Sequence, residues 1–84
     1  MAKKKLSADS LSQCLRIKAY LIEHGSATVG DMYSKLDIMH PPARIFDLRH
    51  KFGLNIQTVW EKVDTGLGVH RVGRYILKAG KYQG

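Results

Sequence analysis

With a single cysteine, Cys14, the chain has no partner for an intrachain disulfide, and a cysteine-based zinc site lacks its usual ligands. No apolar run approaches the roughly 18 residues of a membrane-spanning helix. The opening Met1-Ala2-Lys3-Lys4-Lys5 leads into Leu6-Ser7-Ala8-Asp9-Ser10 rather than into an apolar signal core, so export is not expected. Acidic residues are scarce: seven Asp and Glu stand against 14 Lys and Arg, for a formal charge of +7. Charge of that size and sign favours an anionic partner and leaves the fold open. Internal repeats and low-complexity segments are absent. What the 84 residues do hold is 44% hydrophobic side chains, enough for the core of one domain.

The positive charge is unevenly placed. Residues 1–40 hold six Lys/Arg and four acids, whereas residues 41–84 hold eight and three. In that second half the cations (Arg44, Arg49, Lys51, Lys62, Arg71, Arg74, Lys78 and Lys81) are interleaved with apolar residues, as a folded surface requires and a disordered basic tail does not.

Local signals predict an ordered series of elements. Ser10-Leu11-Ser12-Gln13 has the form of a capping box, and Leu11, Cys14, Leu15, Lys18, Leu21 and Ile22 follow the spacing of one helix face. Gly25 supplies the stop, which predicts a first helix over about 10–24. Thr28, three residues before Asp31, caps a short second helix bearing Val29, Met32, Tyr33 and Leu36 on one face. A helix that short needs packing to persist. Asp37 to His40 reads as a turn, with Ile38 placed to plug the gap between helices. Pro41-Pro42 then suits the first turn of a third helix, where a missing N–H costs nothing. Ile45, Leu48 and Phe52 form its inward stripe and Gly53 ends it, while Phe46 either covers the joint with the next strands or is exposed.

After Gly53 the period changes. Leu54 to Trp60 alternates as a strand, Asp64-Thr65-Gly66-Leu67-Gly68 is a turn, and Val69 to Leu77 returns, with a bulge at Gly73. The expected fold is therefore α+β, mostly α: a winged helix-turn-helix of three helices followed by a two-stranded β-hairpin wing. Its expected limits are a basic flexible tail over 1–9, the domain over 10–78 and a flexible tail over 79–84.

One resemblance is specific. Ala43-Arg44-Ile45-Phe46-Asp47-Leu48-Arg49 through Gly53 to Ile56-Gln57-Thr58, closing on Arg74-Tyr75-Ile76-Leu77, resembles a family of small phage and prophage winged helix-turn-helix domains. Ile22 to Thr28 is similar to their first-helix exit, and the likeness covers about residues 10–78. It departs at Pro41-Pro42, where the family more often has polar or small residues. The resemblance implies sequence-specific binding of double-stranded DNA by a transcription regulator or recombination accessory factor.

Groove geometry then nominates residues. A helix fits the major groove and reads bases near its N-terminal end, which selects His40, Ala43, Arg44 and Asp47. Arg44 can fork onto guanine; Asp47 can accept from cytosine or orient Arg44, and the two can equally form a solvated intrahelical pair. His50 and Lys51 lie further along, towards phosphates. On the wing, Arg71 suits a minor groove and Lys62 its phosphate, with His70 beside them. Lys3, Lys4 and Lys5 form either a mobile arm on the backbone or a solubilising end. For Arg49 the expectation is structural, with its stem packed on the wing and its head on a carbonyl or carboxylate. Trp60 and Tyr75 are expected beneath the hairpin, and Cys14 as a small apolar filler.

Enzyme chemistry finds no support. His24, His40, His50 and His70 are scattered without a metal-binding cluster, and Gly66-Leu67-Gly68 lacks the following helix of a phosphate loop. No catalytic residue, metal or cofactor is expected. The alternative reading is a phage-encoded winged-helix module that binds a host or phage protein and inhibits it, since the same fold serves both ends. Monomer and homodimer both stay open. The expected location is the cytoplasm of a bacterial host, on the nucleoid when DNA is bound, without membrane contact.

Overall fold

A computed structural model describes residues 9–83; the three N-terminal lysines lie outside the described residues. Three helices and three strands follow in the order α1 (Ser10–His24), β1 (Ser26–Thr28), α2 (Val29–Ser34), α3 (Pro41–His50), β2 (Leu54–Asp64) and β3 (Val69–Lys81). Among the described residues no helix is long and apolar enough to cross a membrane.

The cap of α1 is Asp9 rather than Ser10. Its carboxylate accepts from the Ser12 backbone N–H at 2.8 Å and from the Ser12 hydroxyl at 3.1 Å, and a charged acceptor also suits the positive helix end. Ser10 thus becomes the first helical residue, free to serve another partner. The buried seam of α1 is also displaced from the expected one: Cys14, Ile17 and Leu21 enter the core, while Leu11, Leu15 and Ile22 are exposed. Both rows of apolar residues satisfy helical spacing, and packing against α3 and the sheet chooses between them. At Gly25 a φ of 83° turns the chain sharply, a conformation that a side chain would strain.

That turn delivers β1, a strand the sequence reading lacked. It joins the hairpin to make a three-stranded antiparallel sheet of order β1-β3-β2, with Ala27 opposite Tyr75 and both buried. A three-residue strand carries almost no periodicity, so only its partner defines it. The fold is a mixed α+β winged helix-turn-helix with a three-stranded sheet, not a bare two-stranded wing.

Thr28 ends β1 and caps α2 in a reciprocal box: its hydroxyl accepts from the Asp31 N–H at 3.0 Å, and the Asp31 carboxylate accepts from the Thr28 N–H at 3.1 Å. Ile38 plugs the helix junction as expected, fully buried beside Met32. The turn before α3 is clamped from α1, where Arg16 donates to the Leu36 carbonyl at 2.8 Å and to that of Asp37 at 3.2 Å.

From α3, Ile45 and Leu48 join the core formed by Cys14, Ile17, Leu21, Ala27, Met32, Ile38, Ile56 and Tyr75. The ladder between β2 and β3 is regular through Trp60 and Gly73, and the irregularity falls instead at Leu54/Asn55. β3 continues to Lys81, so the expected C-terminal tail is strand over residues 79–81. Tyr82 then returns to α3, with the Arg49 guanidinium 4.7 Å from its ring centre.

Candidate nucleic-acid interface

The sequence nominates α3 as the reading helix, and its packing decides which of its side chains are exposed. Helical geometry sends Pro41, Ile45 and Leu48 inward. Arg44 and Asp47 sit beside that stripe and turn towards α1. Arg44 donates to the Ser10 hydroxyl at 2.7 Å and pairs with Asp47 at 3.1 Å, with side chains only 17% and 12% exposed respectively. Its Nε is buried with no hydrogen-bond partner among the described residues. Of the two arrangements expected for Arg44, the structure shows the intrahelical pair, less solvated than expected: the guanidinium is engaged within the domain, and Asp47 is buried beside it. Residue spacing alone left this pair open, because the side on which α1 lies is a tertiary fact.

Lys51 also reaches Asp47, at 3.5 Å, but its own side chain is 72% exposed and its charge faces solvent. Lys51, Asp47, Ser10, Leu11, Cys14 and Phe52 border a shallow groove of about 270 Å³. Burial, with Asp47 nearby as a second cause, pushes the Cys14 thiol up, which keeps it protonated as an inert filler.

What α3 presents outward is a different row. His40, Pro42, Ala43, Phe46 and His50 are exposed, Phe46 at 59%. The ring of His50 lies 4.2 Å from that of Phe46 and 5.7 Å from that of Tyr82. This surface is apolar and aromatic, with Lys51 as its flanking cation, rather than a cationic ridge. Arg49 behaves as expected, donating to the Ile56 carbonyl at 2.8 Å and the Thr58 hydroxyl at 2.9 Å, and so fixes α3 to the root of the wing.

Because Arg49 reaches Thr58, the face of β2 that carries Thr58 is the face α3 packs on. Side chains on one face of a strand recur every second residue, roughly 7 Å apart, so Trp60 and Lys62 continue that face beyond the helices. The register places Lys62 directly opposite Arg71, and Trp60 opposite Gly73. Two cations opposed across a strand pair repel each other, and neither forms an ion pair among the described residues. His70 pairs with Val63 on the reverse face, so the structure separates it from the other two. That reverse face is held by Arg74, which donates to Glu61 at 2.8 Å and to the Ser26 hydroxyl at 3.0 Å and so spans all three strands.

Trp60 is not beneath the hairpin. It is 60% exposed, because the wing outruns the helices before it reaches this position, whereas Tyr75 is buried as expected. Among the described residues no group of three or more His, Cys, Asp or Glu is placed to hold a metal ion.

A family profile described as a winged helix-turn-helix domain matches residues 12–80. The chain belongs to that family. Among curated proteins and among solved structures no significant match is found. For a winged helix-turn-helix domain the partner suggested by the fold is DNA. In this member the exposed row of α3 and the Lys62–Arg71 pair face solvent.

Proposed function

We propose that this domain binds double-stranded DNA sequence-specifically, as a small regulator of the phage or prophage type acting in transcription or recombination. Support comes from one observation above the others: Lys62 and Arg71 face each other, unpaired, on the side of the sheet where α3 packs. An anionic backbone running past the wing relieves their mutual repulsion, and each cation that meets a phosphate releases a condensed counterion. Lys51 and the histidines His40 and His50 extend those contacts along α3, on the scale of backbone positioning rather than base reading.

Base reading then falls to Ala43 and Phe46, not to Arg44. Both are exposed on α3, and apolar side chains of this kind distinguish thymine through its methyl group in the major groove. Arg44 acts by holding α3 at its angle to α1. Selection from random duplexes at physiological salt tests this: enriched sites carry thymine at the positions facing Ala43 and Phe46. Enrichment of an isolated guanine that depends on Arg44, or no enrichment at all, contradicts it. Two-fold symmetric sites indicate a homodimer, asymmetric ones a monomer.

A second reading, a winged-helix module that docks on a host or phage protein and inhibits it, is favoured by the exposed Phe46 on α3 and the exposed Met39 in the turn before it. It predicts that Phe46→Ala abolishes retention of a partner that survives nuclease treatment while leaving duplex affinity intact.

A further inference from the structure

A large exposed aromatic in the middle of a strand needs a reason, and Trp60 is built into its position. Its cross-strand neighbour is Gly73, and a Cβ at that glycine would lie 3.5 Å from the indole six-membered ring. That is ordinary van der Waals distance, so the indole lies against β3 over this position. The Arg71 guanidinium stands 5.5 Å from the ring centre, and Lys62 faces Arg71 across the strands. A flat apolar surface thus rests on β3 at Gly73, carries the Arg71 guanidinium over its ring, has Lys62 in the next row towards the wing tip, and stays 60% exposed.

We infer that Trp60 is a stacking platform for an unpaired nucleobase, which takes the ring face now under the Arg71 guanidinium, while Arg71 and Lys62, in the next row towards the wing tip, hold the adjoining phosphates. Aromatic platforms with flanking cations suit single strands because every base offers a π-face and every nucleotide a phosphate. Bases inside a duplex have both faces covered by their neighbours. The ligand is therefore a single-stranded segment adjoining duplex, as at an overhang, a frayed end or a bubble. This inference rests on the reading of α3 and the wing as a DNA-binding surface.

The chain contains one tryptophan among four tyrosines, so emission excited at the red edge of indole absorption, beyond tyrosine, reports on this site alone. The full chain is titrated with a labelled blunt duplex and with the same duplex carrying a short oligothymidine overhang, following emission and anisotropy together. The overhang is expected to quench Trp60 and to tighten binding by about tenfold. Trp60→Ala removes that advantage, and Trp60→Phe keeps most of it. Equal affinity for the two duplexes overturns the inference whatever the emission does, and so does a Trp60→Phe variant as weak as Trp60→Ala. Failure to bind either duplex overturns the DNA-binding reading with it, whereas tight blunt-end binding without overhang preference leaves that reading standing.

Discussion

Removing either partner of the Arg44–Asp47 pair distinguishes a structural arginine from a base-reading one. At 3.1 Å the gross attraction between the charges is about 5 kcal/mol at an effective dielectric near 20. Most of that is offset by the cost of taking two ions largely out of water, which leaves a net coupling of about 1–2 kcal/mol. The single changes cost more than the coupling. Asp47→Ala strands a guanidinium that retains only the Ser10 hydroxyl, and Arg44→Ala leaves a buried carboxylate facing Lys51 alone. Each is expected to lower stability by about 2 kcal/mol. With a urea dependence of about 1 kcal/mol per molar for a domain this small, each moves the unfolding midpoint by about 2 M. The double variant loses less than the sum, and the shortfall measures the pair. Binding of duplex, measured well below those midpoints, keeps its sequence preference in Arg44→Ala. A stable Arg44→Ala protein with relaxed preference at one base pair would refute the inward placement.

Two further outcomes follow from local geometry. Asp31 is held below the ordinary carboxylate range, first by the Thr28 backbone N–H, with burial opposing as the next cause and Lys35 adding a smaller lowering. Folding favours its charged form, so the stabilisation is complete above the unfolded value of about 3.9 and is lost as pH falls through the lower folded value. Urea midpoints should drop over that acid range and lose this component in Asp31→Asn, while Thr28→Ala costs about 1 kcal/mol at neutral pH; an acid limb identical in Asp31→Asn contradicts the box. Cys14, with its thiol pushed up by burial, should react with an aromatic disulfide reagent far more slowly when folded than in denaturant. Equal rates would show that the α1–α3 seam is open.

Features with local causes were legible in the sequence. The Thr28–Asp31 box, the double proline opening α3 and the plug at Ile38 each follow from a few neighbouring residues, and all stand where the residues put them. Arg49 was also legible, because its place beside an inward stripe leaves its head only the root of the wing to meet. Features set by remote partners were not. β1 exists because β3 lies beside it, and the buried side of α1 depends on where α3 and the sheet stand. The same cause decides which side of α3 is exposed. Arg44 looked outward on a lone helix, yet α1 covers that side, and the outward row passes to Ala43 and Phe46. Trp60 looked like core by its type; that the wing extends past the helices is a property of strand length against helix position, which no local pattern records.

The claim that the wing face meets a phosphate backbone is tested most directly by the salt dependence of duplex affinity in the parent chain, Lys62→Gln and Arg71→Gln. Log affinity should fall linearly with log salt, and each substitution should make the slope shallower by about 0.9 while weakening all duplexes alike. Slopes that stay the same in both variants, or a parent chain indifferent to salt, would contradict it.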